Sequence, residues 1–342
     1  MSIGLEVAIL PGIAIARRID KDGDLKRHLL LMPALGLLVC LGISGACFLL
    51  GWALSTLTSL LILTNIIAVI AIRIELEPVH HTKIIQRSPW FWIFTIIAFV
   101  MAVTPLSYGS PMGVDWIGFS VLADSISRTG GFILSEPSIG TWTYPPAFPM
   151  LAAWMGGEPH ISVFILGTMC FAALLLGISA IGEKMGCGHW TIMAMLLAPA
   201  LFAKNLDSGY PTVASQLGLI VILTMFSTKL RWEIVAITAI TVAMIHPTGL
   251  IYLTTLVSAK LLVSKSESIS LTEKIQYSFL ALITLFVILI LAPAFGGEAV
   301  FAEYGWQGGT PMAIYAGLLL PLGIWSAWTL RNDKPARILI VW

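Results

Sequence analysis

Charge is what this chain has least of. Only 11% of its residues are Asp, Glu, Lys or Arg, against about a quarter in an ordinary soluble domain, and that scarcity excludes a water-exposed globule. Cysteine is scarce as well. Of the four, Cys40, Cys47 and Cys170 lie inside apolar runs and Cys187 in a short loop, so no disulfide framework is expected. Cys187-Gly188-His189 sets two ligand types close together, which does not make a metal site. There is no internal repeat, low-complexity tract or soluble domain, and no period-two alternation of the kind a β-barrel needs. The N-terminus places its apolar stretch before its basic cluster, the reverse of a secretory signal peptide.

Apolar sequence is what remains. Hydrophobic residues make up 58% of 342, mean hydropathy is +0.92, and the runs repeatedly approach the roughly 20 residues that cross a bilayer as a helix. The chain reads as an all-α polytopic membrane protein. Spans are expected near 2–16, 29–52, 54–72, 90–107, 161–181, 190–203, 212–228, 232–246, 248–263, 276–294 and 312–330, about eleven in all. The first is short and contains Pro11-Gly12, so a kinked or partly inserted helix fits it as well as a straight crossing. The closing RNDKPARILIVW is a basic loop followed by the start of another apolar run. It reads as a chain cut before a twelfth span or lacking a C-terminal domain.

Cytoplasmic loops carry the excess of Lys and Arg. With these spans, seventeen of the nineteen basic residues fall on one side, and only Arg128 and Lys204 on the other. One missed crossing would scramble that bias. The expected location is therefore the cell membrane, multi-pass, with the N-terminus outside. The outer face carries Asp115, Asp124, Glu136, Glu158, Asp207, Glu298 and Glu303. The inner connector at 73–89 holds His80-His81 among basic residues, where solvation is the simplest reading.

One outer segment is long and polar: GVDWIGFSVLADSISRTGGFILSEPSIGTWTYPPAFPML, Gly113 to Leu151. Trp116, Phe119, Ala123 and Ile126 recur at helical spacing, with Ser120, Asp124, Ser127 and Arg128 on the other side, so a surface amphipathic helix is expected. Asp124 and Arg128 are spaced to pair across one turn, and Gly130-Gly131 ends the helix. Asp115 stands at its start, where an aspartate can cap free N–H groups. Tyr144-Pro145 reads as an extended entry to a second short apolar helix with Pro146 in its first turn, lying along the interface.

Two interfacial helices in the first large outer loop, an aspartate directly after the preceding span and a Tyr-Pro-Pro turn resemble the GT-C superfamily of membrane glycosyltransferases, as in protein mannosyltransferases, oligosaccharyltransferases and lipid A aminoarabinose transferases. The resemblance covers residues 90–342, the GT-C-like core. Residues 1–89 form an added three-span unit and cytoplasmic connector, similar to that of some uncharacterised prokaryotic members. In that register KNLDSGYP (204–211), HPT (246–248) and 295–311 face the same compartment as Asp115.

The resemblance implies a polyprenyl-phosphate-linked sugar as donor, an inverting displacement, and an extracytoplasmic site. Asp115 matches the family's aspartate and would be the general base; the alternative for it is capping alone. Lys204, Arg128, His246 and Tyr210 are the candidates for the donor phosphate, His246 having helix capping as its alternative. Asp207, Tyr144 and Glu303 are candidates for acceptor contacts or a second carboxylate. Trp116 follows Asp115 and no Asp-x-Asp occurs on the outer face, so a divalent cation, magnesium or manganese, stays open as a cofactor, with Asp115 and Asp207 as its candidate ligands. The acceptor, whether protein, lipid or glycan, is open; no nucleic acid is expected. A transporter is the rival class, favoured by ionisable groups at mid-depth, broken helices and matched halves, and a non-catalytic membrane scaffold is a third.

Overall fold

The computed structural model describes residues 6–74, 89–131, 144–196, 202, 205, 206, 208–226, 230–264, 324–326, 328–330 and 332. Among them the regular structure is helical. In chain order the elements are α1 (Ile9–Ile19), α2 (Leu25–Leu49), α3 (Leu54–Ile74), α4 (Pro89–Val103) running on into a 3₁₀ turn (Thr104–Tyr108), α5 (Asp115–Thr129), α6 (Ala147–Met155), α7 (Pro159–Lys184), α8 (Gly188–Leu196), α9 (Tyr210–Ser215), α10 (Leu217–Thr224), α11 (Trp232–Ile245) and α12 (Pro247–Ser264). The expected span at 276–294, nearly all of that at 312–330, the His80-His81 connector and the loop at 295–311 lie outside the described residues.

Among the described residues, four helices are long and apolar enough to cross a membrane: α2, α3, α4 with its 3₁₀ extension, and α7. Burial separates them into two pairs. In their most apolar stretches α2 is 61% and α7 72% buried, against 17% for α3 and 28% for α4, so α2 and α7 form the centre and the other two line the periphery. α2 begins with Asp24 accepting the Arg27 backbone N–H at 2.8 Å, a side-chain cap. It ends where Gly51, at φ 66°, turns left-handed and Trp52 N–H returns to the Cys47 carbonyl at 2.8 Å, an arrangement glycine allows at no steric cost. α1, α6, α7 and α11 all pack on α2.

The expected crossing at 2–16 is described from residue 6 onward, and its regular helix is α1. α1 has 11 residues, about 16 Å at 1.5 Å per residue, which is half a bilayer core. It starts beside the middle of α3, where Asn65 donates to the Val7 carbonyl at 2.8 Å. Pro11 does not break it, because a first-turn proline lacks an N–H that had no helical partner anyway. Gly12 and Gly36 let α1 lie backbone to backbone on α2: a Cβ on Gly36 would stand 1.9 Å from the Ala8 carbonyl oxygen. The expected span at 212–228 is the pair α9 and α10, joined at Gln216. The second short helix, α6, has Ala147 to Ala153 buried throughout. Its small residues permit this, with Ala147 close enough to α2 for its carbonyl to accept the Ser44 hydroxyl at 2.8 Å.

The helix ends sort by charge. Arg27, Lys184 and Asp20 meet at one end, with Lys26 over the Trp92 ring and Lys260 donating to the Met225 carbonyl. At the opposite end Leu54 N–H donates to the Gly130 carbonyl and Trp154 donates to Thr58. Of the two basic residues expected at that end, Arg128 is described and Lys204 is not.

Candidate functional site

α5 forms where the amphipathic pattern placed it, and Gly130 ends it at φ 77°. Phe119, Ala123 and Ile126 are buried as expected, but Ser120 is buried with them and its hydroxyl finds no partner among the described residues. Asp124 and Arg128 pair at 2.9 Å on the open side.

Asp115 is the first residue of α5 and is exposed, while Val114 holds the cap position. The side chain that serves this helix start comes from a distant loop: Ser208 Oγ accepts the Trp116 backbone N–H at 3.2 Å. Ser208 is fully buried and adopts φ 57°, a left-handed conformation uncommon outside glycine, so the 208–210 turn is held where it can reach α5. The sequence pattern did not single out Ser208 or its target.

Tyr144 stands over the same region. Its ring lies 4.9 Å from Phe119 and 5.7 Å from His246. Burial, and after it the negative charge of Asp115, raise its phenol above the ordinary value, so it stays protonated and can donate. His246 follows α11 directly and starts α12: its Nδ1 accepts the Thr248 backbone N–H at 3.1 Å and lies 2.6 Å from the Thr248 hydroxyl. An Nδ1 that accepts leaves the ring proton on Nε2 in the neutral form. Capping and donation are thus compatible in this residue. His160, absent from the expected set, sits at the start of α7 with its ring 6.2 Å from Trp116 and Nε2 3.5 Å from a Glu158 oxygen.

Three separate chain segments therefore meet at this end, bringing together Asp115, Tyr144 and His246. Two other candidates are not brought in. Arg128 is thirteen residues along α5 from Asp115, about 20 Å at the helical rise, and is engaged with Asp124. Tyr210 is a core residue, 1% exposed, its ring seated over Gly167 of α7 and 6.4 Å from Phe164; the missing side chain at Gly167 makes the space. Lys204, Asp207 and Glu303 lie outside the described residues. Among those described, no three His, Cys, Asp or Glu side chains group as metal ligands, and Asp115 alone is not a ligand set.

No family model, curated protein or solved structure matches the chain.

A second polar cluster, which sequence patterning missed, ties the basic end. Asp20, in the α1–α2 turn, has a fully buried side chain that accepts from Arg27 and, at 2.8 Å, from Lys184. His28 Nε2 lies 2.9 Å from the Asp20 carbonyl, and Lys184 also donates to the last-turn carbonyl of Thr224. Burial by itself would raise the Asp20 pKa, but the hydrogen bonds and charges of Arg27 and Lys184 outweigh it and hold the carboxyl below its ordinary value. The carboxylate thus joins α2 to α7, and Lys184 carries the link on to α10.

Proposed function

We propose that the chain is an integral-membrane glycosyltransferase of the GT-C kind, with about eleven crossings, α5 and α6 forming the helices of its first outer loop, and its site on the extracytoplasmic face of the cell membrane. The observation that carries this reading is the exposed Asp115 carboxylate, near enough to Tyr144 for its charge to raise that phenol, with the Tyr144 ring against His246 and the helix start served by Ser208. An exposed carboxylate at the start of a surface helix is a candidate base.

The donor is a sugar on a polyprenyl phosphate. Asp115 takes the proton of the acceptor hydroxyl as its oxygen attacks the anomeric carbon from the face opposite the phosphate. The anomeric C–O bond to phosphate breaks, the electron pair leaves on the phosphate oxygen, and the configuration inverts. The Tyr144 phenol and the His246 Nε2–H are donors for charge developing on that oxygen, and Lys204 adds a cation from the same loop as Ser208. Asp207 and Glu303 remain candidates for the acceptor side.

Purified protein incubated with a panel of radiolabelled polyprenyl-phosphate sugars and a membrane extract as acceptor source should release free polyprenyl phosphate from one of them. Release from none, by protein that remains folded, removes the reading. A transporter is the second reading, and the buried Asp20 with its two cations favours it, because ionisable groups buried among membrane helices mark ion pathways. That cluster sits where helices end rather than at mid-depth, and it couples structure more directly than transport.

A further inference from the structure

α4 spans the thickness of a membrane and marks both of its faces. Its exposed side carries Ile93, Ile96, Ile97, Val100 and Met101, and exposed aromatic residues stand at either end, Trp90 and Trp92 at the basic end and Tyr108 at the other. From Trp90 to Tyr108 the helix and its 3₁₀ extension rise about 30 Å, which matches the hydrocarbon core of a bilayer. Trp and Tyr so placed are the side chains that settle at the two interfaces.

The chain does not turn polar beyond Tyr108. Met112, Val114 and Ile117 follow, all exposed, Val114 at 69% and Ile117 at 51%, and no Lys or Arg occurs between Arg87 and Arg128. Nearby polar groups turn back on the chain. Thr104 donates to the Val100 carbonyl and Ser107 to the Thr104 carbonyl, each at 2.7 Å, and the Trp116 indole N–H donates to the Gly113 carbonyl at 3.2 Å. Each such bond spares a polar group the need for water. α5 then changes character along one side. Its stripe of Phe119, Ala123 and Ile126 is buried in the bundle and cannot face lipid. The side left open begins with Ile117 and two turns later carries Asp124 paired with Arg128.

We infer that the start of α5 is seated in the head-group layer of the leaflet at this end, with Val114 and Ile117 dipping among acyl chains, while its second half tilts up into water. The occupant of this apolar edge is lipid because the edge continues the exposed side of α4 without a break and lies at the depth that Tyr108 marks. It offers no cation to an acidic partner. An apolar face buried to the boundary of head groups and acyl chains, with charge on the part that emerges, is how helices lie in an interface. Asp115 stands between Val114 and Ile117 in the chain, so it is held at head-group depth and meets groups borne by the membrane. The seating does not rest on the transfer reaction proposed above.

The test uses the full chain in nanodiscs. Cys187→Ser removes the one described cysteine that is not buried, and a bimane probe is attached in turn at Ile96→Cys, Val114→Cys, Ile117→Cys and Asp124→Cys. Phosphatidylcholine brominated on its acyl chains should quench the probes at 114 and 117 to a degree similar to that at 96 and several-fold more than at 124, and aqueous iodide should give the reverse order. The pair Val114→Ser/Ile117→Ser, exposed and so tolerated by the fold, should cut lipid quenching of a probe at Met112→Cys several-fold. Iodide reaching 117 as readily as 124 would put the edge in water. Quenching of 114 and 117 by neither agent would put protein over it, and lipid quenching of 117 and 124 alike would lay the whole helix in the membrane. An unchanged probe at 112 would deny the two side chains their role. Each of these results overturns the seating, and none is read from turnover, so its failure is distinct from failure of the transferase reading.

Discussion

Asparagine at position 115 keeps the size of aspartate and removes its charge and its basicity. Because Val114 occupies the cap and Ser208 supplies the side-chain hydrogen bond, the exchange leaves the start of α5 in place. Asp115→Asn should therefore unfold at the wild-type temperature, retain donor lipid, and lose turnover by about 10²–10⁴-fold, the usual contribution of a general base. Turnover at the wild-type rate in the folded variant would refute the assignment of the base. Asp115 was legible in the sequence because it is a lone carboxylate next to an apolar run. Ser208 and His160 were not, because their partners lie on other segments and only packing brings them near.

Helices here are located by apolar length and positioned by small residues. The boundaries of α2, α3, α4 and α7 follow from composition, since each run is long enough to satisfy its backbone internally within a bilayer. How deeply each is buried does not follow, because an all-round apolar helix has no stripe to say which side faces protein. Glycines decide it. A Cβ at Gly167 would come within 2.2 Å of the Tyr210 ring, so α7 and α9 touch only because that side chain is absent. Gly167→Val should cost about 1–3 kcal/mol through overpacking, measured as a lowered thermal midpoint in detergent, while Gly109→Ala-type changes in open loop space test only backbone strain. An unchanged midpoint for Gly167→Val would mean the Tyr210 contact contributes nothing.

Across the molecule, the buried Asp20 and its partner Lys184 hold three helices to one another at the basic end. Asp20→Asn leaves Arg27 and Lys184 side by side without a counter-charge, which for buried pairs costs about 3–5 kcal/mol. Loss of thermal stability of that order is expected, with little change if Lys184→Met is added, since one of the stranded charges is then gone. The pH dependence has a definite sign. A carboxyl held below its unfolded value, about 3.9, contributes fully above that pH and loses its contribution as pH falls through the lower folded value. The wild type should show this loss only in acid, and Asp20→Asn should lack it. The charge asymmetry yields a labelling prediction. Cys187 is the one described cysteine that is not buried and lies next to Lys184, so an impermeant thiol reagent should reach it only from inside. Cysteine at Glu158, in a Cys187→Ser background, should label from outside. Labelling of both from the same side would invert the helix count.

Composition alone determined that this chain is helical with runs apolar enough to cross a membrane, because each such segment satisfies its own backbone; which helix ends share a face is an expectation drawn from its basic residues. The tertiary structure decided what depends on contacts between distant segments. It laid α1 on α2 at Gly12 and Gly36, buried α6 against its neighbours, took Tyr210 into the core and separated Arg128 from Asp115. It also gathered Asp115, Tyr144 and His246 at one end and Asp20, Arg27 and Lys184 at the other. Those outcomes rest on close packing at glycines and on polar groups that must find partners away from water, and neither condition is visible along one strand of sequence.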